Sequence, residues 1–397
     1  MKILVLGTSN SILKNGYISG MKRALARASW TNLSSGASPG VQFAKYAHMD
    51  FSAYDIVLFD SVPNDEQYAL QTPGYSYSED FKEILFELLS TISSQTRLVV
   101  IGISVREFLN KTSTVYKDRE RLAQLTNAQF IHFSEALMIY KHLEKEVYSD
   151  HPAHPKLELA DRIGFYIGNA IQQHYSQLEK GHACENFSQN FERGVEHFAC
   201  EGEFVKHFKN SLTEGKFLAM RLGDKVEIQS NHVLIGFQVN SLQTNASVNL
   251  LTEHGQSIRF NLFYERKHNG FLSLFVPLKD FQKVKWIQMQ SNDEQDKDKL
   301  ATNVQPRMTH ECRDKEEANL QLGELLYWNN RSGYYHKSAK PSQRTSHLCL
   351  NTDIQKSVID EVLVSMNRAY EAGSFVKKLQ YFFRILRFKR CYRTNKL

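Results

Sequence analysis

Four short segments of the chain carry chemical groups that together could catalyse acyl transfer. They hold a hydroxyl, a tight turn with a free backbone N–H, a side-chain amide, and a carboxylate close to a histidine: Ser9, Gly36, Asn64, and Asp150 with His154. In such a set the histidine takes the serine proton, the carboxylate orients the histidine, and N–H donors stabilise the oxyanion. The set predicts a serine nucleophile that forms an acyl-enzyme, and it implies no metal.

Strand-like and helix-like segments alternate over residues 1–178 and would position these groups. Short apolar runs predict five strands, at residues 2–6, 30–33, 54–60, 98–103 and 129–133. Apolar stripes at helical spacing predict helices between them and a closing helix over residues 157–171. Such alternation implies a mostly parallel sheet, whose strands present their carboxyl ends to one ligand-binding edge. Because Ser9, Gly36 and Asn64 each follow a strand, we expect them to meet at that edge.

The segments resemble the four sequence blocks of the SGNH/GDSL hydrolase family, in the family's order. The run GTSNS at residues 7–11 resembles the first block, which makes Ser9 the nucleophile and one oxyanion donor. Residues 32–36 resemble the second block, with Gly36 as a backbone oxyanion donor. The resemblance covers about residues 1–175, and it implies a three-layer, flavodoxin-like α/β fold for a catalytic domain at residues 1–178.

The third and fourth blocks of the family complete the resemblance. The run VPND at residues 62–65 resembles the third block, with Asn64 as the side-chain oxyanion donor. The run DHPAH resembles the fourth block, with Asp150 as the acid and His154 as the base. The family places three residue steps between its acid and its base, whereas Asp150 precedes His154 by four and His151 by one. Either the loop is one residue longer here, or His151 belongs to the site.

Further departures and alternatives accompany these assignments. Thr8 replaces the aspartate of the first block, and Val62 stands where the third block has glycine. Taken alone, Ser9 is also a favoured helix N-cap residue, and asparagine before aspartate is a common turn sequence. The altered acid–base spacing therefore keeps open an inactive SGNH-fold protein that binds glycans or assists polysaccharide assembly.

Composition is that of a soluble globular protein in a reducing compartment. The 397 residues suggest two or three domains, with 42% hydrophobic and 23% charged residues. No apolar run approaches the ~18 residues of a membrane span, and the N-terminus lacks the pattern of a signal peptide. Five scattered cysteines without a CxxC pair argue for free thiols rather than disulfides or a zinc site. These features predict a cytoplasmic protein.

The second half of the chain predicts a different architecture. Short apolar runs separated by Gly, Asn and Asp turns predict a β-sandwich-like domain over residues 190–292. Residues 293–350 are more polar and are expected to connect this domain to a helical segment at residues 351–397. A sandwich beside a carbohydrate enzyme can bind sugar or shape the cleft, and a structural or dimerising role is an equal alternative.

The end of the chain carries an uneven charge. Residues 374–397 hold eight basic residues and no acidic one, and aromatic and aliphatic residues there recur at helical spacing. A basic amphipathic helix is typical of segments that lie on anionic membrane surfaces. The alternatives are a helix docked on its own domain and a nucleic-acid tail. We do not expect nucleic acid, because no binding motif accompanies the charge.

The resemblance and the composition together give the functional expectation. The protein should hydrolyse or transfer an acyl group, such as acetyl, on a carbohydrate or polysaccharide. It should do so in the cytoplasm, beside the inner face of a membrane. A hydrolase would need no cofactor, whereas a transferase could use acetyl-CoA as its donor. The acyl donor, the acceptor and the oligomeric state stay open.

Overall fold

The computed structural model describes residues 1–71, 78–138, 147–181, 184–194, 205–210, 214–264, 270–290, 308–309 and 319–329. The predicted connecting region at residues 293–350 is described only at 308–309 and 319–329. The predicted helical C-terminus at residues 351–397, with its basic stretch, lies outside the described residues.

The first part of the chain forms a five-stranded parallel sheet covered by helices. Its strands are β1 (Lys2–Leu6), β2 (Ser29–Asn32), β3 (Ile56–Phe59), β4 (Arg97–Ile101) and β5 (Gln129–Ile131), in the order β2-β1-β3-β4-β5. Its helices are α1 (Tyr17–Ala24), α2 (Val62–Gln71), α3 (Glu79–Gln95), α4 (Thr114–Leu125), α5 (Phe133–Met138) and α6 (Leu157–His174). This strand order is that of flavodoxin-like folds, which bind ligands where the order reverses between β1 and β3. The predicted fold class of this part is confirmed.

Two apolar cores, one on each face of the sheet, make the three layers. On one face α1 and α6 pack on the sheet through residues such as Met21, Ile163 and Ile167. The backbones of these two helices approach closely, since a Cβ added to Gly164 would lie 1.9 Å from the carbonyl oxygen of Tyr17. The other face is covered by α3, α4 and the 3₁₀ segment Gly40–Tyr46. The strands are buried on both faces, which explains their continuous apolar runs.

The second part of the chain forms two antiparallel sheets packed face to face. The first contains β6 (Phe191–Gly194), β7 (Val205–Lys209), β8 (Glu214–Met220), β10 (Val233–Asn240), β13 (Ser273–Gln282) and β16 (Leu320–Trp328). The second contains β9 (Lys225–Glu227), β11 (Asn245–Thr252), β12 (Ser257–Tyr264), β14 (Val284–Gln290) and β15 (Met308–Thr309). Side chains of both sheets share one core, where the rings of Phe237 and Phe260 lie 5.8 Å apart. The predicted sandwich is confirmed.

One strand lies where a connecting region is predicted. β16 pairs with β10 and β8 and is central in the first sheet, so residues 320–328 belong to the sandwich. The expectation of a connection throughout residues 293–350 is wrong at this point. Eight of the nine β16 residues are buried, on both faces of the sheet. A strand with both faces buried lacks the alternation that would mark it in a sequence.

The sandwich packs directly on the α/β domain. Phe43 and Phe81 of the α/β domain share a buried core with Phe275 of β13 and Trp328 of β16. The indole Nε1 of Trp328 donates a hydrogen bond of 2.7 Å to Glu87 Oε2, and both residues are at most 1% exposed. The two domains therefore meet in an interface that resembles a domain interior.

Candidate active site

The nucleophile candidate lies in a short turn immediately after β1. Ser9–Ser11 form one 3₁₀ turn, and the hydroxyl of Thr8 caps it by accepting a hydrogen bond from the Asn10 N–H. Thr8 is thus the cap residue, and the Ser9 hydroxyl is directed elsewhere. Ser9 Oγ lies 2.8 Å from His154 Nε2, across 145 residues of chain. Asn10 Nδ2 donates to the Ala153 carbonyl at 2.9 Å, which fastens the serine turn to the histidine loop.

A buried carboxylate that the sequence analysis missed supports this turn. Asp60, at the end of β3, is fully buried, and its Oδ2 accepts hydrogen bonds from Thr8 Oγ1 at 2.9 Å and Ser11 Oγ at 3.0 Å. Burial raises the pKa of Asp60 to about 6, and the hydrogen bonds from Thr8 and Ser11 limit the rise. The threonine that replaces the family's aspartate therefore donates to an aspartate on the neighbouring strand. The sequence does contain one signal for this buried carboxylate, since Asp60 directly follows an apolar strand.

Gly36 lies against the serine. A Cβ added to Gly36 would lie 3.5 Å from Ser9 Cβ, and the Ser35 N–H donates to the Gly7 carbonyl at 2.8 Å. Within the described residues the Gly36 N–H has no hydrogen-bond acceptor. This backbone N–H is therefore free to donate to a ligand beside Ser9.

Asn64 is the third residue of α2, the helix that follows β3. It is 2% exposed, and its Nδ2 donates to the Ser38 carbonyl at 2.8 Å. A side-chain amide has two N–H donors, so this bond uses one of them and leaves the other. Val62, in the place of the family's glycine, is fully buried at the first position of α2. The structure thus joins Asn64 to the segment that carries Gly36.

The histidine loop closes on itself between Tyr148 and Pro155, which form an isolated antiparallel bridge. The Ser149 N–H donates to the His154 carbonyl at 3.0 Å, and the Arg106 N–H donates to the Pro152 carbonyl at 2.8 Å. These bonds fix the loop that places His154 against Ser9.

The structure does not bring Asp150 to the position of a triad acid. Asp150 is exposed on the tip of the loop, and among the described residues no hydrogen bond or ion pair joins its carboxylate to His154. The ring of His151 stacks on the ring of His154 instead, with centroids 4.1 Å apart and planes at 18°. His151 Nδ1 accepts the Ala153 N–H at 3.2 Å. The residue three positions before His154 therefore contacts its ring.

Two further buried acids, on α2, were also missed by the sequence analysis. Asp65 Oδ1 accepts the Gly40 N–H at 2.8 Å, and Asp65 Oδ2 pairs with Arg119 at 2.6 Å, both side chains being at most 1% exposed. Glu66 accepts the Val105 N–H at 2.7 Å and the hydroxyl of Ser113. These carboxyl groups anchor segments near the site, and nothing in a single sequence distinguishes them from acids on the solvent face of a helix.

The Glu66 carboxyl should make stability depend on pH. Burial raises its pKa to about 8, against an ordinary value near 4.3 in an unfolded chain. Between these values the folded state binds the extra proton, so the free energy of unfolding should fall as pH rises from about 5 to about 8. Urea unfolding at about pH 5 and about pH 8 should show a smaller fall in the free energy of unfolding for Glu66→Gln than for the wild type. The control Glu79→Gln removes a carboxylate that is 54% exposed and should keep the wild-type fall. If the free energy of unfolding fell equally in all three proteins, the pH dependence of stability would not come from Glu66.

The part of the chain that the structure describes shows neither a metal-binding cluster nor a membrane-spanning helix. There, no cluster of three or more His, Cys, Asp or Glu side chains could bind a metal ion. The helices described also include none with the length and apolarity to cross a bilayer.

Comparison with known proteins finds solved structures that are similar to part of the chain. No family model matches the chain, and no curated protein matches it. LAE5, an α/β hydrolase from the metagenome of Lake Arreo in Spain, is 17% identical with a TM-score of 0.37, over 42% of this chain and 94% of LAE5. Axe2, an acetylxylan esterase from Geobacillus stearothermophilus, is 14% identical with a TM-score of 0.36, over 42% and 93%. The esterase EstA from Pseudoalteromonas sp. is 15% identical with a TM-score of 0.34, over 44% and 98%. These three structures are an α/β hydrolase and two esterases, each matched over less than half of this chain.

Proposed function

We propose that the protein is a serine-dependent acyl-ester enzyme that acts through an acyl-enzyme on Ser9. The observation that carries the proposal is the 2.8 Å contact between Ser9 Oγ and His154 Nε2. A serine hydroxyl is weakly nucleophilic until a base accepts its proton, and this distance lies within the range for such a transfer.

The neighbouring groups support the remaining steps. When Ser9 Oγ attacks an ester carbonyl, negative charge develops on the carbonyl oxygen. The backbone N–H groups of Ser9 and Gly36 and the amide of Asn64 are the proposed donors to that oxyanion. The protonated His154 then gives its proton to the leaving alcohol. The acyl group stays on Ser9 until water, or a hydroxyl of an acceptor, removes it with His154 as the base.

The test uses the full-length protein with p-nitrophenyl acetate. We expect release of nitrophenol, and mass spectrometry of a quenched reaction should find acetyl on the peptide that contains Ser9. Turnover with the acetyl group on another residue would refute the assignment. Adding a sugar acceptor then separates two activities, because a hydrolase yields acetate and a transferase yields the acetylated sugar.

For the substrate we propose an O-acyl, in particular O-acetyl, ester of a carbohydrate. The support is the resemblance of residues 7–11, 32–36, 62–65 and 150–154 to the SGNH/GDSL blocks. Acetate release from O-acetylated oligosaccharides should exceed that from glycerol triacetate at equal ester concentration. If the protein is a transferase, acetyl-CoA is a candidate donor.

A second function is favoured by one observation. Asp150, the acid that the resemblance assigns, is exposed and makes no described contact with His154. An SGNH-fold protein that binds glycans or assists polysaccharide assembly without catalysis would tolerate this. Such a protein would bind O-acetylated oligosaccharides and leave their esters intact.

Asn64 provides a graded test of the oxyanion assignment. Asn64→Ala should lower kcat by about 10²–10³-fold with little change in KM, which corresponds to about 2.7–4 kcal/mol of transition-state stabilisation. Steady-state kinetics with p-nitrophenyl acetate measures both constants.

Asn319→Ala is a matched control for Asn64→Ala. The Asn319 amide also donates to a backbone carbonyl at 2.8 Å, that of Gln243, but within the sandwich. The kcat of Asn319→Ala should equal the wild-type value. A rise in KM alone in Asn64→Ala would make Asn64 a binding or turn residue instead.

A further inference from the structure

The segment Gly36–Ser38, here called the oxyanion segment, has a conformation that needs external support. Ala37 has φ of 53°, in the left-handed region. That region costs a residue with a Cβ roughly 1–2 kcal/mol, and such a conformation persists only where surrounding contacts hold it. Ala37 packs against the core of the sandwich. The support therefore comes in part from the second domain.

The sandwich presents an edge strand to this segment. β13 is the outer strand of its sheet, so alternate backbone groups along it point away from its partner β10. At Phe275 the outward-pointing backbone N–H and carbonyl both form hydrogen bonds with residues of the α/β domain. The Phe275 N–H donates to Ser38 Oγ at 3.1 Å, and the Tyr68 hydroxyl donates to the Phe275 carbonyl at 3.3 Å. All three residues are at most 2% exposed.

Ser38 joins this strand to the two proposed oxyanion donors. Its Oγ accepts from Phe275 and donates to the Gly36 carbonyl at 3.3 Å. Its own carbonyl accepts from Asn64 Nδ2 at 2.8 Å. One buried residue thus contacts the sandwich, the glycine that lies against Ser9, and the amide of Asn64.

The position of β13 is itself fixed by the rest of the interface. The rings of Phe81 in α3 and Phe281 in β13 lie 4.9 Å apart. The Trp328–Glu87 hydrogen bond joins the same two domains through residues outside the oxyanion segment. Because buried packing of this kind resists displacement, β13 is a rigid support.

We propose that strand β13 is a structural part of the oxyanion hole, and that Ser38 is the positioning residue through which it acts. The inference rests on the proposed acyl-ester function. The sandwich then completes the catalytic domain rather than serving only as a separate sugar-binding module. Since a displacement of about 1 Å in a catalytic group can cost about 10²-fold in rate, loss of the Ser38 hydroxyl should be visible in kcat.

The experiment compares two variants of the full-length protein. Ser38→Ala removes the acceptor for Phe275, and its kcat for p-nitrophenyl acetate should fall about 10–100-fold with KM within about threefold of wild type. Tyr68→Phe removes the donor to the Phe275 carbonyl and leaves the oxyanion segment chemically unchanged. It should lower kcat by about 2–10-fold, as expected for one hydrogen bond.

Trp328→Phe is the matched control, since it breaks a buried hydrogen bond of the same interface away from the oxyanion segment. It should lower the urea midpoint of unfolding and keep the wild-type kcat. If Trp328→Phe loses as much kcat as Ser38→Ala, the interface acts through general stability and the proposal is overturned. A wild-type kcat in Ser38→Ala would overturn it as well.

Amide hydrogen exchange tests the same inference without turnover. In Ser38→Ala the peptide covering residues 34–40 should exchange at least about tenfold faster than in the wild type, as expected for an opening free energy lowered by about 1.4 kcal/mol. Unchanged exchange would show that β13 does not hold the segment. If the wild-type protein turns over no ester, only the proposed function is refuted. The exchange result still decides whether β13 holds the oxyanion segment through Ser38.

Discussion

Replacing Ser9 by alanine should lower kcat for ester turnover by about 10⁴–10⁶-fold and leave the fold intact. The loss is large because Ser9 Oγ is the hydroxyl that the described part of the chain places against His154 Nε2. Ser9 is half-buried in a turn capped by Thr8, so removing its hydroxyl breaks no cap. Circular dichroism and the urea midpoint should match the wild type, while p-nitrophenyl acetate turnover falls to a residual level.

Ser11→Ala is a control from the same turn. The Ser11 hydroxyl donates to Asp60 and not to His154, so its removal should destabilise the turn and cost less than about tenfold in kcat. Wild-type turnover by a folded Ser9→Ala protein would remove Ser9 from the mechanism.

The second large effect is expected at His154. His154→Ala removes the only base in contact with Ser9 Oγ among the described residues, and kcat should again fall by about 10⁴–10⁶-fold. The residual activity of His154→Ala should depend little on pH near neutrality, because the variant lacks the imidazole that accepts the serine proton. The pH–rate profile and kcat of the purified variant measure both.

Two neighbours of His154 separate the remaining roles. His151 stacks on the ring of the base, and an aromatic pair contributes about 0.5–1.5 kcal/mol, so His151→Ala should cost about 2–10-fold. Asp150 is exposed and away from the ring, so Asp150→Asn should change kcat by less than about threefold. A loss near 10⁴-fold in Asp150→Asn, the size seen when a triad acid is neutralised, would restore Asp150 as the orienting acid. A loss of that size in His151→Ala alone would move the base to His151.

The sequence by itself predicted the architecture and the positions of the candidate site residues. Alternating apolar runs and helical stripes predicted the parallel sheet, since the periodicity of buried side chains follows local backbone geometry. The residues after β1, β2 and β3 could be assigned to one edge because parallel strands share that edge. In the structure Gly36 lies against Ser9, and Asn64 donates to the carbonyl of Ser38 in the segment after β2.

Burial and the closure of loops were decided only by the tertiary structure. Asp60, Asp65 and Glu66 are polar in the sequence, and only packing from distant strands and helices removes them from water. Asp150 is exposed in the loop closed by the Tyr148–Pro155 bridge, although the closeness of Asp150 to His154 in the sequence suggested that the two are partners. The Phe275–Ser38 hydrogen bond joins residues 237 positions apart. No local pattern encodes such a contact, because it exists only where two independently patterned domains pack together.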